Sequence, residues 1–484
     1  MPKLSEQIIP KRKLLLLGSE TLLISAVLLL GTSLPPLARN AVDLSPTGGD
    51  FWAALRSSLL VAILCQVSLS FHDLYDWKVS QNRAELPHRL LHAAGYSLVL
   101  LAVGIYVFPY GFGFPGLANT ERQTWSVILL LVVAFGVIWA WRVGFHWFFY
   151  RWNFGERVLI LGAGPQARFV ANLVRDNPFS GYELVGLVRG PTDPELTEEE
   201  NDALPEGERV VGDADHLASL AIEQRAARIV VALEERRGTL PVTALLDCKM
   251  AGLTIEEKEA TYERIAGKIA VQSLRPSYLI FGSGFMRHPI AGAAKRLIDV
   301  VVSLVGLVLA APLCLLVAAL IKLDSKGPLF FTQERVGQNG RLFHVIKFRT
   351  MTADAEKQSG AVWAQKHDPR VTRIGRFLRL SRIDEIPQMV NVLAGHMSFV
   401  GPRPERPVFV EQLSEQIRYY PLRHTVKPGL TGWAQVNYPY GASVEDAEEK
   451  LRYDLYYVKN MNPLFDLNII LRTVGVILFG KGAR

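Results

Sequence analysis

Two adjacent carboxylates in the last quarter of the chain have the residue types that phosphate chemistry needs. Asp384 and Glu385 come just before an apolar stretch at 386–393, which predicts a helix that begins after the pair. The dipole of such a helix favours ionised carboxylates at its N-terminus. Asp384 alone also fits an ordinary helix cap, for which aspartate is a common choice. The many arginines nearby favour a chemical role for the pair.

Positive side chains that suit a phosphate come from three neighbouring segments. Arg403 lies between two prolines that hold it rigidly, and its guanidinium fork suits a phosphate or a nucleotide. Lys347 and Arg349 alternate with apolar residues, as on a strand with one polar face, although a simple surface pair shows the same alternation. Arg382 ends a series of arginines at every third residue and is the member predicted to face the site.

The reaction that these residue types suit is the transfer of a phosphate group. Attack on phosphorus has to overcome the negative charge of its oxygens, and Mg2+ together with fixed cations does this. Magnesium commonly takes one or two carboxylates plus phosphate oxygens of the substrate. A neighbouring carboxylate can act as a nucleophile and form an acyl phosphate. Asp384 and Glu385 supply both parts, which predicts Mg2+ as the cofactor.

The carboxylates belong to a chain whose first third is strongly apolar. Hydrophobic residues make up 49% of the 484 residues and the net charge is +7, which suits anionic lipid headgroups or phosphate substrates. Binding to nucleic acid is less favoured, because no recognition motif accompanies the charge. Four apolar stretches have the length of a membrane-crossing helix. They are Leu14–Leu34, Trp52–Phe71, Leu90–Phe108 and Trp125–Tyr150.

Basic residues indicate the orientation of these four stretches. Lysines and arginines cluster before the first stretch, between the second and third, and after the fourth, whereas the other two loops carry one arginine each. Because cytoplasmic loops are enriched in Lys and Arg, this pattern places the N-terminus inside. It predicts an α-helical four-span bundle over 1–150 that returns the chain to the cytoplasm.

The segment at 155–285 predicts a cytoplasmic α/β domain. A buried strand begins at Arg157, and apolar runs at 182–188 and 228–233 predict further parallel strands with helical stretches between them. Strands that alternate with helices in this way form a doubly wound, Rossmann-like sheet.

A glycine-rich turn follows the first of these strands. Gly162, Gly164 and Ala167 match the G-x-G-x-x-A pattern of dinucleotide-binding turns. The acidic residue that normally follows the second strand is missing, because that strand ends at Arg189 and Gly190. The incomplete pattern favours a structural or regulatory domain over a working redox site.

A long apolar run at 295–323 is predicted to enter the membrane and return to the same side. Its length fits a span, but Pro312 near its middle removes a backbone hydrogen bond and kinks a helix. Basic residues flank both ends, and the positive-inside pattern places both ends in the cytoplasm. A fully spanning helix is the alternative, and it would put the carboxylate pair on the outer side.

Short motifs follow one another closely from residue 290 to the end of the chain. They are Gly-Pro-Leu-Phe-Phe-Thr-Gln-Glu-Arg-Val-Gly at 327–337, Val-Ile-Lys-Phe-Arg-Thr-Met at 345–351, Ser-Arg-Ile-Asp-Glu-Ile-Pro-Gln at 381–388, Met-Ser-Phe-Val-Gly-Pro-Arg-Pro at 397–404, Lys-Pro-Gly-Leu-Thr-Gly-Trp-Ala-Gln at 427–435 and Tyr-Asp-Leu-Tyr-Tyr-Val-Lys at 453–459. Their order and spacing closely resemble the bacterial sugar transferases that act on polyprenyl phosphates, the phosphoglycosyl transferases. The four apolar stretches and the α/β domain in front resemble the long, polytopic branch of that family.

This resemblance implies an activity and roles for individual residues. A catalytic domain of mixed α/β fold over 290–484 would transfer a sugar phosphate from a UDP-sugar to undecaprenyl phosphate, on the cytoplasmic face of the bacterial inner membrane. Asp384 would attack the phosphate next to the sugar, release UMP and hold the phospho-sugar until the lipid phosphate takes it. Glu385 would bind Mg2+, and Lys347 would be a further catalytic residue. The phosphate- or nucleotide-binding residues would be Arg403, Arg349 and Arg382.

Two other functions stay open from the sequence. Membrane-bound nucleotide-sugar dehydratases and epimerases, which use NAD, also place four spans before a Rossmann-like domain. Their Tyr-x-x-x-Lys pair is absent, since no tyrosine of this chain has a lysine four residues later. The other function is a non-enzymatic scaffold for polysaccharide export. For a transferase, the family implies exopolysaccharide or glycan assembly, UDP-glucose or UDP-galactose as the default donor, and a homodimer as a plausible assembly.

Overall fold

The computed structural model of this chain describes most of its length, in two compact units. The described residues are 11–33, 49–72, 74–75, 86–107, 121–151, 155–177, 180–195, 197–205, 207–235, 238–274, 276–281, 284–285, 289–352, 370–439, 441 and 443–479. One unit holds the chain up to Arg157 together with 177–183, and the other holds Val158–Asp176 and the chain from Leu184 onward. The division into three domains at 1–150, 155–285 and 290–484 stays a prediction.

Four long apolar helices form the first unit. They are α1 (Lys11–Ser33), α2 (Gly49–Phe71), α3 (Leu86–Val107) and α4 (Glu121–Arg151). Aliphatic side chains such as Leu28, Val61, Leu90 and Ile138 form a buried core between them. Each helix contains a segment that is long and apolar enough to cross a membrane. The prediction of four apolar helices is therefore confirmed, within a few residues at their ends.

A fully buried ion pair joins α1 to α4. The guanidinium of Arg142 donates to both carboxylate oxygens of Glu20, from Nε at 2.6 Å and from Nη2 at 3.1 Å. Its Nη1 donates to the carbonyl of Leu74 at 2.6 Å, and the hydroxyl of Tyr75 donates to Glu20 at 2.8 Å. Neither charged side chain has exposed surface. Both are thus satisfied inside the protein, as the interior of a membrane requires.

Removing one member of this pair is expected to destabilise the bundle strongly. Arg142→Met leaves Glu20 buried without a cation, at a cost of about 3–5 kcal/mol. Combining it with Glu20→Leu removes both charges and is expected to recover most of that loss. Thermal unfolding of the purified protein in detergent measures both variants. Equal destabilisation by the single and double variants would show that charge balance is not what the bundle requires here.

A five-stranded parallel sheet forms the centre of the α/β region. Its strands are β1 (Glu156–Leu161), β2 (Tyr182–Arg189), β3 (Val210–Asp213), β4 (Arg228–Val231) and β5 (Thr254–Glu257). Their order is β3-β2-β1-β4-β5. The helices of this region are α5 (Pro165–Asp176), α6 (Glu198–Asp202), α7 (Leu217–Glu223), α8 (Val242–Met250), α9 (Lys258–Ala266) and α10 (Pro276–Phe281).

Three of these five strands were predicted from the sequence. The three are the central ones. Their sequences are continuous apolar runs because residues such as Leu159, Leu161 and Ile229 are completely buried. The two strands that were missed, β3 and β5, are four-residue edge strands, and Glu256 and Glu257 interrupt the apolar pattern of β5. The α/β sheet is confirmed, whereas its assignment as a Rossmann-like domain stays a prediction.

The long apolar run forms one helix, α11 (Pro289–Asp324), which contains Pro312. It is the fifth described helix that is long and apolar enough to cross a membrane. The buried residues along its 36-residue length are Asp299, Ser303, Val317 and Ile321. Most of its aliphatic surface faces outward. The return of this helix to the same side of the membrane stays a prediction at this point.

The C-terminal region consists of short helices and two small sheets around α11. Its strands are β6 (Phe330–Val336), β7 (Leu342–Phe348), β8 (Ser398–Val400) and β9 (Gly429–Thr431). Its helices are α12 (Arg373–Leu380), α13 (Gln388–Leu393), α14 (Pro407–Gln416), α15 (Trp433–Asn437), α16 (Val444–Asn460) and α17 (Pro463–Phe479). β6 and β7 form an antiparallel hairpin, whereas β8 and β9 pair in parallel. Residues 290–479 thus mix α and β structure, as the sequence predicts.

The α/β region is attached to α15 and α16 by polar contacts. The ammonium of Lys459 lies 2.6 Å from Oε2 of Glu263 in α9. The indole N–H of Trp433 donates to the carbonyl of Gly267 at 2.8 Å. These contacts explain why the α/β region and the C-terminal region form a single compact unit.

Candidate active site

Asp384 and Glu385 lie in one turn of 3-10 helix, Ile383–Glu385, immediately before α13. The turn follows Arg382, whose φ of 58° lies in the left-handed region. Pro387 then caps the start of α13, where its missing N–H costs no helical hydrogen bond. Both carboxylates are 8% exposed. The prediction that a helix begins just after the pair is confirmed.

Glu385 is surrounded by three cations that all face its Oε1. Nζ of Lys347 lies 3.0 Å away, Nη2 of Arg403 lies 2.9 Å away and Nη1 of Arg382 lies 3.8 Å away. Although burial opposes ionisation, these positive charges hold the pKa of Glu385 well below its usual range. Glu385 is therefore ionised at every physiological pH, and the structure brings four of the predicted site residues together.

Asp384 has the opposite electrostatic environment. Burial and the negative charge of Glu385 raise the pKa of Asp384, and the more distant charges of Lys347 and Arg403 only partly offset this. Its buried Oδ1 has no hydrogen-bond partner among the described residues. An unpaired buried carboxylate oxygen is uncommon in proteins, so this atom is available to an incoming group.

Lys347 is held by β7 and by Asn391 of α13. The side-chain oxygen of Asn391 accepts the N–H of Ile346 at 3.0 Å, and its nitrogen donates to the carbonyl of His344 at 2.8 Å. This amide ties the strand that carries Lys347 to the helix that follows the carboxylates. Burial lowers the pKa of Lys347 and Glu385 opposes that shift. Sequence reasoning missed Asn391, because its role depends on a partner 45 residues away.

Arg349 is not among the side chains that meet at the carboxylates. Its Nη1 donates to the carbonyl of Lys326 at 2.9 Å and its Nη2 to the carbonyl of Ser325 at 2.8 Å. Both carbonyls follow the C-terminus of α11, so the buried guanidinium caps that helix. Strand alternation would place Arg349 on the face of Lys347, but β7 ends at Phe348. Contact between Arg349 and a substrate phosphate stays a prediction, and this geometry does not favour it.

Gly162, Gly164 and Ala167 form the predicted turn between β1 and α5. Gly162 has a φ of 128°, and a Cβ there would lie 2.9 Å from a backbone oxygen. The N–H of Ala163 in this turn donates to the carboxylate of Asp193 at 2.7 Å. A carboxylate of the chain itself thus takes an N–H that a bound phosphate would use. The sequence did not reveal Asp193, because it lies in the loop beyond β2 and not at the end of the strand.

The carboxylate pair meets the requirements of a Mg2+ ion bound together with a substrate. Oδ1 of Asp384 has no hydrogen-bond partner within the described ranges, and the cations around Glu385 approach its Oε1. Magnesium takes one or two carboxylates together with phosphate oxygens. The described part of the chain contains no group of three or more His, Cys, Asp or Glu side chains that would hold a metal alone. A phosphate group from a substrate would have to complete the coordination.

The two carboxylates are therefore suited to different tasks. Glu385 keeps its charge and orders the cations, whereas Asp384 has an unpaired oxygen and no cation in direct contact among the residues that the structure describes. Neighbouring titratable groups with pKa values shifted in opposite directions are typical of sites with two chemical roles. A phosphate that entered beside Lys347 and Arg403 would meet the free oxygen of Asp384. The arrangement suits nucleophilic attack on phosphorus.

Comparison with known proteins points to one family. Residues 290–480 match the family model of the bacterial sugar transferases. A UDP-N-acetylgalactosamine-undecaprenyl-phosphate N-acetylgalactosaminephosphotransferase of Aeromonas hydrophila is 41% identical over 240 residues, which are 50% of this chain and 56% of that protein. This chain therefore spans little more than half the length of that relative.

Two further relatives match over more of their length. Both are UDP-glucose:undecaprenyl-phosphate glucose-1-phosphate transferases and both are 32% identical to this chain. The protein of Xanthomonas campestris pv. campestris matches over 341 residues, 68% of this chain and 68% of its own length. The protein of Escherichia coli (strain K12) matches over 432 residues, 87% of this chain and 88% of its own length.

Asp384→Asn is expected to stabilise the folded protein. Because the pKa of Asp384 is raised on folding, its ionised form costs free energy in the native state above that pKa. Removing the charge is expected to gain about 1 kcal/mol there. The gain should vanish as the pH falls through the raised pKa, since Asp384 is then protonated in the unsubstituted protein too. Thermal unfolding across pH measures this, and a less stable variant at high pH would contradict the assigned environment.

Proposed function

The chain belongs to the bacterial sugar transferase family, and from this premise we propose that it transfers a sugar phosphate from a UDP-sugar to undecaprenyl phosphate. The relatives are named as phosphotransferases, so the prediction of an enzyme is confirmed. Their names specify glucose in two cases and N-acetylgalactosamine in the third. The donor proposed for this chain is therefore a UDP-hexose, and its lipid product starts the assembly of a polysaccharide.

The observation that carries this proposal is the different surroundings of the two carboxylates. Lys347 and Arg403 contact Glu385 directly, while Oδ1 of Asp384 has no hydrogen-bond partner among the described residues. Attack on a phosphate needs cations beside the phosphate and an uncommitted nucleophile. This site supplies both within one turn of the chain, and the family match covers that turn.

The proposed reaction has two steps that share one acyl phosphate. A carboxylate oxygen of Asp384 attacks the phosphorus next to the sugar, the bond from this phosphorus to the bridging oxygen breaks, and UMP leaves with the electron pair. A phosphate oxygen of undecaprenyl phosphate then attacks the same phosphorus and releases the carboxylate. The product is an undecaprenyl diphosphate sugar. Mg2+ held by Glu385 and the substrate phosphates would supply further positive charge, while Lys347 and Arg403 orient the donor.

The covalent step can be tested with a UDP-sugar that carries a labelled phosphate next to the sugar. Without lipid, the purified protein is expected to release about one UMP per active site and to retain the label. Undecaprenyl phosphate should then move the label into the lipid. Asp384→Asn is expected to reduce UMP release at least about a thousandfold, because the nucleophile is lost.

Two outcomes would contradict this mechanism. If Asp384→Asn still released UMP when given undecaprenyl phosphate, Asp384 would not be the nucleophile. If the unsubstituted protein released UMP only in the presence of the lipid, direct displacement would replace the covalent intermediate. Glu411→Gln is the matched control, since it removes an exposed carboxylate in α14 and is expected to leave both steps unchanged.

The glycine-rich turn does not favour an NAD-dependent dehydratase. Such an enzyme would need the N–H groups of this turn for the phosphates of the dinucleotide. Asp193 accepts the N–H of Ala163 and also that of Gly190, at 2.7 and 2.8 Å. These contacts support a structural role for the α/β region.

We further propose that α11 enters the membrane from the cytoplasm and returns to it with a bend at Pro312. Near its start, Asp299 accepts hydrogen bonds from Oγ of Ser398 at 3.0 Å and from the N–H of Phe399 at 2.9 Å. Near its end, Val317 and Ile321 pack in a buried cluster with side chains of β7 and α12. The same C-terminal region therefore contacts both halves of the helix.

This pattern of contacts disfavours a full crossing of the membrane. A helix spans the hydrocarbon core with about 20 residues, so a crossing α11 would put Asp299 and Ile321 on opposite sides. The region that contacts both residues carries charged side chains such as those of Arg373 and Arg376, which are costly in hydrocarbon. The exposed aliphatic side chains of the middle segment, Val308, Leu309, Leu315 and Leu316, are those available to lipid.

Cysteine labelling tests this arrangement. Ile290→Cys and Leu323→Cys probe the two ends of α11, where the side chains are 86% and 84% exposed, in a chain whose three native cysteines are replaced. Both are expected to react with an impermeant maleimide in inside-out vesicles and not in right-side-out vesicles. Ser45→Cys, between α1 and α2, is the control with the reverse pattern. Labelling of the two ends from opposite sides would show a spanning helix and refute the proposed arrangement.

A further inference from the structure

The backbone around Arg403 is fixed at successive carbonyl groups. The carbonyl of Pro402 accepts the N–H of Gly429 at 2.9 Å, and the carbonyl of Pro404 accepts a hydrogen bond from Arg335 at 3.2 Å. Neither proline has an N–H of its own, so this segment is held through its oxygens and by the restricted φ of proline. As long as these oxygens keep their donors, the segment holds Arg403 in one position.

The carbonyl of Arg403 itself accepts a hydrogen bond from a buried arginine. Nη2 of Arg423 lies 3.1 Å from this oxygen. The same guanidinium donates from Nε to Asp454 at 2.9 Å and from Nη1 to the hydroxyl of Tyr420 at 2.7 Å. Arg423 is 5% exposed and Asp454 is 1% exposed. All three guanidinium nitrogens are thus engaged inside the protein.

A buried ion pair of this kind is not explained by stability alone. Removing two charges from water costs several kcal/mol per ion, and apolar residues of similar volume are often at least as stabilising. An apolar pair has no N–H to offer, however, and would leave the carbonyl of Arg403 without this donor. Besides its bond to Tyr420, Arg423 thus provides a hydrogen bond to the residue that contacts Glu385.

We propose that Arg423, oriented by Asp454, is a positioning residue for Arg403. It holds the main chain of Arg403 so that the guanidinium reaches Oε1 of Glu385 at 2.9 Å. Without the hydrogen bond from Arg423, Arg403 shifts away from the donor phosphates and from the carboxylate pair. This inference rests on the proposed function, since Arg403 is taken to contact the phosphates of the UDP-sugar.

The test replaces the ion pair by an apolar pair of similar volume. Arg423→Met combined with Asp454→Leu keeps the packing without a buried charge and is expected to fold. UMP release should fall about 100-fold, the usual effect of misplacing a catalytic contact by about 1 Å. In an Arg403→Ala background the same two changes should alter the rate by less than about twofold. Arg423→Lys gives the same comparison if the apolar pair does not fold.

The KM for the donor separates positioning from a loss of stability. Arg403 is taken to contact the phosphates of the UDP-sugar, so displacing it should raise the KM for the donor, and equally in the Arg423 variants and in Arg403→Ala. A loss of folded protein alone lowers the apparent kcat and leaves this KM unchanged. Arg228→Met is the matched control, because Arg228 is a buried arginine paired with Glu256 at 2.6 Å in the α/β region. This control should lower the unfolding temperature and leave the KM for the donor unchanged.

The outcomes distinguish this inference from the proposed function. If the losses multiply in the Arg403→Ala background, or if the KM for the donor does not rise, Arg423 acts only through stability and the inference is overturned. An unsubstituted protein that releases no UMP from any UDP-hexose would instead overturn the proposed function.

Discussion

The contact of Glu385 with Lys347 and Arg403 joins three separate parts of the chain. Lys347 comes from β7, Arg403 from the loop after β8, and Glu385 from the turn before α13. Two half-buried cations beside one carboxylate oxygen repel each other, and after burial the charge of Arg403 is a further cause that lowers the pKa of Lys347. Glu385 offsets that repulsion and so keeps the two cations together. The arrangement is preorganised in the sense that catalysis requires.

The site is tied to α11, the helix that we propose enters the membrane. Arg296, near the start of that helix, donates to the carbonyls of Val392 and Leu393 at 2.7 and 2.8 Å. These carbonyls end α13, the short helix that begins just after the carboxylates. The position of Asp384 is therefore tied to a helix with a mostly apolar, outward-facing surface. In the proposed reaction, this connection would set the distance between Asp384 and an acceptor phosphate at the membrane surface.

The sequence predicted those parts of the site whose chemistry is local. Asp384, Glu385, Lys347 and Arg403 all lie in short motifs whose residue types already suit phosphate, and the structure brings these four together with Arg382. Arg349 has the same local signal but lies one residue beyond its strand, where its guanidinium donates to the carbonyls of Ser325 and Lys326. No local pattern distinguishes it from Lys347.

The supporting residues were not predictable in the same way. Asn391, Arg423 and Asp454 act through partners 20 to 47 residues distant in the chain. Their residue types alone do not indicate a role, because the fold brings those partners close. The same holds for the edge strands β3 and β5, which become strands because a neighbour offers hydrogen bonds and not because of their own apolar pattern. Periodicity thus revealed the membrane helices and the central strands, while long-range hydrogen bonds determined the remainder.

The charges of the site bear on the order of events in the proposed reaction. Three cations and two carboxylates face one another there, which leaves one positive charge when both acids are ionised. A divalent cation gains little from such a site, whereas a diphosphate is attracted to it. Once a donor were bound, its negative charges would reverse the balance and favour a cation beside the unpaired oxygen of Asp384. In the proposed reaction the donor would therefore enter with the metal or before it, and its phosphate oxygens would take the place of a third acidic ligand.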